Sequence, residues 1–281
     1  MTKISEVQAD AQTANSVIQC PLCGMEQTTT HFEKIKLTNL AIITCMQCGM
    51  KLLDPASLNS NLPASYEKSH DLNYERFRKA HVYVTYVQIL KQLGKLKSLI
   101  YSKLTGELRK SGKRLLEINP GNGLFLSIAK EKGWETEGCE DFEASDIKTE
   151  YYDALCLWEV LDRTYYPLLL LHRCFETIKA GGRVVISVYN DRNLIRFLGL
   201  GLSKTYGRNG VLYFTPATLL SLILHFGFSI EQIYHDYYDP SLYTTNPVVR
   251  CLLTLAHWSA RPFKLTDRFV VIARKKVDVG H

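Results

Sequence analysis

The sequence predicts an α/β protein: a doubly wound, mostly parallel sheet, shortened on one side, with a small cysteine-rich module ahead of it. Three observations carry this expectation. From Arg114 onward, buried strand-like runs alternate with helix-like segments, an order that generates parallel sheets. The first of these runs, Arg114-Leu-Leu-Glu-Ile-Asn, ends in the turn Pro120-Gly121-Asn122-Gly123. Ahead of it stand two matching knuckles, Cys20-Pro-Leu-Cys23-Gly24 and Cys45-Met-Gln-Cys48-Gly49.

A chain of 281 residues, 46% hydrophobic and 22% charged, is long enough for one large domain and a smaller one. Its N-terminal residues carry no apolar run, and no stretch approaches the roughly 18 consecutive apolar residues of a membrane span. A cytoplasmic protein without a membrane span is therefore expected. Eight cysteines without a secretion signal point to reduced thiols or metal ligation. The expected organisation is a tail over residues 1–16, a metal module over 17–60, a helical arm over 61–112 and the α/β domain over 113–281.

Two residues between thiolates let both sulfurs of a knuckle reach one ion, and the glycine after each lets the backbone turn sharply. Cys20, Cys23, Cys45 and Cys48 would complete a tetrahedron with no open position. The expectation is a zinc ribbon, its ion structural rather than catalytic, its strands drawn from Thr29–Lys36 and Leu40–Cys45. A redox dithiol pair and unrelated buried cysteines are the competing readings. Cys139, Cys156, Cys174 and Cys251 fall within apolar patterns and are expected in the core.

In the arm, Val82, Tyr86, Ile89, Leu90, Leu93, Leu96, Ile100 and Leu104 keep helical spacing along one stripe. Lys91 to Arg114 holds eight basic side chains against Glu107 alone. A solvated helix face explains this run; a footprint for a phosphate-bearing substrate or RNA is the sharper alternative.

Within the α/β domain, the glycine turn after the first strand lets backbone approach a ligand at the strand's carboxyl end. Leu126 occupies the third glycine position of the dinucleotide fingerprint, which argues against NAD. A second strand, Gly133 to Glu140, ends in an acid placed to accept hydrogen bonds from a ribose diol. Tyr152 to Leu161 is a further buried strand. A helix opened by Pro167 and running from Leu168 to Ile178 is expected to stop at Ala180-Gly181-Gly182, before a strand from Arg183.

From about Leu115 to Asn190 this order resembles the class I S-adenosylmethionine-dependent methyltransferases, a Rossmann-like family. Its pattern runs from an acid and a glycine-rich turn, through a ribose-binding acid, to a Gly-Gly before a strand. Val211-Leu-Tyr-Phe-Thr-Pro, Phe226-Gly-Phe-Ser-Ile and Arg268 to Arg274 resemble the family's closing segments. The leading ribbon is similar to that of a bacterial subgroup that includes C-methyltransferases of nucleotide-linked sugars.

The resemblance implies S-adenosylmethionine as cofactor. It places Glu117, Asn119, Gly121 and Gly123 along the cofactor loop, Glu140 at the ribose and Asp146 at the adenine amine. Too few residues lie between Glu140 and Asp153 for the helix and third strand that the family usually has there. Asn119 stands in place of the first loop glycine, Arg163 in place of a histidine, and Gly210 where a histidine often precedes the aromatic-Thr-Pro segment. Glu159, Asp162 and Tyr189 are the candidate catalytic groups, near the carboxyl ends of their strands, and Arg163 is a candidate for a substrate phosphate. Three functions stay open: methyl transfer to a small-molecule acceptor such as a nucleotide-linked sugar or a glycan or lipid precursor, a noncatalytic zinc-stabilised scaffold, and methylation of RNA.

Overall fold

A computed structural model describes residues 19–26, 32–36, 41–54, 114–121, 123–140, 142, 146–164, 166–197, 210–236 and 246–276. The expected tail over 1–16 and the arm over 61–112 lie outside the described residues, as does the basic run up to Lys113. Arg114 is described and is committed to the fold: its guanidinium lies 4.1 Å from the Tyr151 ring centroid and 3.5 Å from Glu135, and its backbone N–H donates to Asp153 at 2.8 Å.

The chain order is β1 (Phe32–Lys36), β2 (Ala41–Cys45), β3 (Lys51–Leu53), β4 (Arg114–Ile118), α1 (Leu124–Glu131), β5 (Glu135–Cys139) and β6 (Tyr152–Trp158). It continues through α2 (Pro167–Thr177), β7 (Ile178–Tyr189), α3 (Leu194–Phe197), β8 (Leu212–Tyr213), α4 (Pro216–His225), β9 (Phe228–Asp236), α5 (Pro247–Ala260) and β10 (Arg268–Lys275). The large sheet has six strands in the order β5-β4-β6-β7-β10-β9. The pairs among β5, β4, β6 and β7 are parallel, and β10 runs antiparallel to both of its neighbours.

Buried on both faces, the central strands read as continuous apolar runs whose alternate residues serve two cores. Leu115, Ala154, Cys156, Val185 and Val270 pack toward α1 with Phe125, Ile128 and Ala129. Leu116, Leu155, Leu157, Val184, Ile186 and Val271 pack toward α2 and α4 with Leu170, Leu171, Cys174 and Leu219. This is the doubly wound arrangement expected from the sequence. It is shortened as expected too: among the described residues no strand lies beyond β5.

The helix ends within one residue of the expected Ile178, but the strand begins there rather than at Arg183, so the role of Gly181-Gly182 as a helix stop is a correction. Helix α2 ends at Thr177, and Ile178 already pairs with Tyr152; the ladder resumes with Arg183 opposite Ala154. The glycine pair therefore forms a bulge inside β7. Gly181 has φ of 74°, and a side chain at Gly182 would lie 2.5 Å from Ile178 Cγ2 and 3.1 Å from the Asp153 carbonyl. Both positions need glycine, which explains the signal without a helix terminus. A second correction concerns Cys251, which is exposed on α5, whereas Cys156 and Cys174 are buried in the core.

The small sheet has the order β1-β2-β3-β8, antiparallel throughout. Its fourth strand comes from the far side of the α/β segment. Leu52 lies opposite Leu212, and the Leu53 N–H donates to the Val211 carbonyl at 2.8 Å. Ile42, Ile43, Met50, Leu52 and Leu53 join the same buried cluster as β4, β6 and β7. The cysteine-rich segment thus shares a core with the large sheet.

Candidate active site and thiolate centre

The carboxyl ends of the parallel strands open into a cleft of about 180 Å³, lined by Ile118, Asn119, Glu140, Phe142, Val160, Arg163, Thr164 and Leu170. Asn119 follows β4 in a left-handed conformation, φ 51°, which asparagine tolerates better than most residues; its N–H donates to the Cys139 carbonyl at 2.8 Å. Gly121 and Gly123, at φ 57° and 69°, complete the turn into α1. The turn is seated on β5 through Gly138, where a side chain would meet Leu126 Cδ1 and Pro120 Cγ at 2.9 Å.

Glu140 is exposed at the end of β5, at the lip of the cleft. Phe142 is buried beneath it, with the Arg173 guanidinium 5.2 Å from its ring centroid. Glu117 is fully buried in β4, below the turn rather than in the cleft lining. Asp146 is exposed and does not line the cleft.

Glu159 immediately follows β6 with φ 54°, a left-handed conformation rarely adopted by glutamate. It is held there on both sides. Its N–H donates to the Ser187 carbonyl at 2.9 Å, and its carboxylate lies 3.5 Å from Arg163 and 3.7 Å from the buried Arg268. Strain of this kind persists only where surroundings over-determine it, and it concentrates at functional sites.

Asp162 and Tyr189 lie behind the cleft. Asp162 is 1% exposed; its Oδ2 accepts the Tyr189 N–H at 3.3 Å, and its backbone carbonyl accepts the Val211 N–H at 2.8 Å. Burial pushes its carboxyl up to about 7 from the usual 3.8, with Glu159 adding to the rise and Arg163 opposing it. The Tyr189 hydroxyl accepts from Asn193 Nδ2 at 2.7 Å.

Beyond Tyr189 a polar cluster is buried between the two sheets. Asp191 pairs with Lys51 of β3 at 2.9 Å and with Arg196 of α3. The Arg196 guanidinium lies 5.2 Å from the Tyr189 ring centroid and 5.1 Å from that of Tyr213. Asn190 Nδ2 donates to the Thr266 carbonyl at 2.8 Å, which ties the end of β7 to the entry of β10. Asp191 and Asn190 are each held by groups from distant parts of the chain, which ties β3, α3 and the entry of β10 to the end of β7.

The four knuckle sulfurs lie within 4.8 Å of one another, with Cys20 to Cys48 at 3.5 Å and Cys23 to Cys45 at 3.7 Å. A tetrahedron with metal–sulfur bonds of about 2.3 Å has edges of about 3.8 Å, so the set fits one thiophilic ion. Both knuckles share one backbone plan. Gly24 N–H donates to the Cys20 carbonyl at 2.9 Å and Gly49 N–H to the Cys45 carbonyl at 2.8 Å, with both glycines left-handed. Cys20 and Cys48 lie close enough for either thiol to donate to the other, and this pairing lowers the ionisation of Cys20 to about 5 while raising that of Cys48, as expected when close thiols share a proton.

A family model described as "Methyltransferase domain" matches residues 89–233, just over half of the chain. The chain belongs to this methyltransferase domain family. A SAM-dependent methyltransferase from Archaeoglobus fulgidus is 18% identical with a TM-score of 0.46, the match covering 73% of this chain and 98% of the other. The 1,6-didemethyltoxoflavin-N1-methyltransferase of Burkholderia thailandensis, solved with 1,6-didemethyltoxoflavin and S-adenosylhomocysteine, is 15% identical with a TM-score of 0.40, covering 87% of this chain and 99% of the other. No curated protein matches the chain.

In this methyltransferase domain the cleft gathers Asn119 and Glu140 from the sequence-derived set, along with Arg163. Sequence reasoning missed Phe142, Val160, Thr164 and Leu170, which carry no motif. It also missed the Asn190-Asp191-Asn193-Arg196 cluster. The run of polar residues directly after the buried stretch Val184–Tyr189 was the available signal.

Asp162 yields a pH prediction. A carboxyl whose folded-state value is raised favours the fold most when protonated; that contribution is complete below about pH 4 and is lost as pH rises through about 7. Asp162→Asn, which keeps an oxygen for the Tyr189 N–H, should flatten the fall in stability between pH 5 and pH 8, by at least about 1 kcal/mol at the upper end. Urea midpoints measured across that range test it. Parallel wild-type and variant profiles would refute it.

Proposed function

We propose that this protein transfers the methyl group of S-adenosylmethionine to a phosphate-bearing small-molecule acceptor, with a structural zinc ion at Cys20, Cys23, Cys45 and Cys48. The observation that carries the reading is the cleft at the carboxyl ends of β4, β5 and β6, the ligand crevice of open α/β sheets. Its chemistry suits a nucleoside. Glu140 offers a carboxylate to a ribose diol, Ile118, Phe142, Val160 and Leu170 offer apolar surface to a base, and the turn over Asn119, Gly121 and Gly123 brings backbone close. Glu117 supports that turn from below, and Asp146 stands outside the lining.

When bound, S-adenosylmethionine supplies an electrophilic methyl on a sulfonium centre. The chain's own task is to orient the acceptor. Arg163, at the cleft and half-exposed, presents a planar fork suited to phosphate. Glu159 orients that fork, and Asp162 and Tyr189, bonded to each other, lie behind it. Zinc is preferred among thiophilic ions because a closed four-thiolate shell is its common structural site.

The second reading is a noncatalytic scaffold. The cleft volume, below the roughly 300–1,000 Å³ of ligand pockets, and the burial of Asp162 and Tyr189 favour it. Calorimetric titration of zinc-loaded protein with S-adenosylmethionine and S-adenosylhomocysteine decides between them. Micromolar binding is expected, weakened about tenfold or more in Glu140→Ala because a charge-assisted hydrogen bond is lost. An intact, folded protein that binds neither nucleoside sinks the enzyme reading in favour of the scaffold.

A further inference from the structure

Helix α5 turns its apolar side chains outward. Val248, Val249, Leu252, Leu255 and Trp258 are exposed on it, and Phe263 is exposed on the helical turn that follows, with Leu252 at 61%, Trp258 at 72% and Phe263 at 74%. Val248, Leu252 and Leu255 keep i, i+4, i+7 spacing, and Cys251 and Trp258 widen the same arc; the inward line is Leu253 and Ala260. A helix on a globular domain ordinarily shows the reverse pattern. Six large apolar residues gathered in one short segment form a patch that calls for a partner.

Charge identifies that partner. From Asn246 to Thr266 the sequence contains no aspartate or glutamate, while Arg250, Arg261 and Lys264 are all cationic. An apolar arc in a segment whose charged residues are all basic, with an exposed tryptophan and phenylalanine at one end, matches an anionic lipid surface: acyl chains take the apolar groups and headgroup phosphates take the cations. At 14 residues the helix is about 21 Å long, and no helix among the described residues is long and apolar enough to cross a membrane. It suits a position in the plane of the interface.

We infer that α5 and the turn after it form an interfacial anchor for anionic phospholipid bilayers. The anchor is fastened to the end of the sheet where β7 finishes and β10 begins. The segment after it is bonded to the stretch that follows β7, through Leu194 N–H of α3 to the Leu265 carbonyl at 3.1 Å and Asn190 Nδ2 to the Thr266 carbonyl, and at the start of β10 Arg268 lies opposite Tyr189. Docking therefore sets the carboxyl ends of β6 and β7 toward the bilayer. The inference is independent of the proposed methyl transfer, since it concerns binding alone.

Trp258 is a built-in reporter, because Trp134 and Trp158, the other two tryptophans, are each 5% exposed. The full chain is mixed with vesicles of phosphatidylcholine containing phosphatidylglycerol, and with phosphatidylcholine alone. On the anionic vesicles we expect co-sedimentation, a blue shift of tryptophan emission and protection from acrylamide, all reduced by added salt. Leu252→Asp with Leu255→Asp should weaken partitioning about a hundredfold. Trp258→Ser should abolish the spectral shift. Both variants replace exposed groups, and an unchanged melting temperature verifies the fold.

Absence of binding to anionic vesicles by the folded protein overturns the inference. So does a Trp258 already shielded from acrylamide without lipid, which would mean the chain's own arm covers the face. A concentration-dependent dimer that the Leu252/Leu255 variant dissociates would assign the face to a second copy instead.

Discussion

Cys45→Ser should lower stability by more than about 4 kcal/mol, the range seen when a structural metal is lost, and should reach beyond the cysteine-rich segment. The Cys45 side chain is fully buried and its sulfur is one corner of the thiolate set. Removing that corner frees the knuckle that precedes β3. Strand β3 carries Lys51, paired with Asp191, and Leu53, which bonds Val211. The loss should therefore propagate to Tyr189 and Arg196 at the end of β7. Atomic emission should find one zinc per chain in wild type and none in the variant. Thermal unfolding should shift down, and near-ultraviolet dichroism should report disturbed tyrosines. A metal-free wild type with the same melting temperature as the loaded protein would refute this.

Gly210→Ala is the second large effect. A side chain there would place Cβ 2.3 Å from the Asp162 carbonyl oxygen, and the backbone φ of 139° lies where side chains are strained. The obstacle is backbone, so no rotamer relieves it. Relief requires Gly210 to withdraw, giving up the Val211 N–H to Asp162 carbonyl bond and the Tyr213 hydroxyl bond to Gly210, both at 2.8 to 2.9 Å. A loss of about 2–4 kcal/mol is expected from overpacking and two weakened hydrogen bonds. Urea unfolding measures it, and a change under about 0.5 kcal/mol, the size of an ordinary surface substitution, would refute it. The same contact explains why glycine stands here: the segment before β8 is pressed directly onto the turn after β6.

Elements defined by local chemistry were legible in the sequence. Knuckle spacing gives the thiolate cluster, the apolar runs give β4, β6, β7 and β10, and the missing length after Glu140 gives the truncated sheet edge. Tertiary features were not. The pairing of β3 with β8 joins segments with no sequence signature of each other, and Asp191 meets Lys51 only because of that pairing. Glycine pairs after a helix ordinarily mark its end, so the bulge at Gly181-Gly182 had no distinguishing signal. Cys251 and its neighbours on α5 keep a helical period, and periodicity alone does not say whether an apolar arc faces inward or outward.

Strand β8 also bears on the order in which the protein can be made. Both knuckles leave the ribosome before β4, yet the strand that covers β3 is synthesised only after β4 through β7. Until then β3 presents a bare row of backbone donors and acceptors beside Leu52 and Leu53, the kind of edge that templates intermolecular pairing. A metal-loaded fragment ending before Val211 would carry that edge permanently. Aggregation of such fragments, and its suppression when a peptide spanning Gly210 to Thr215 is supplied in trans, is the expected consequence.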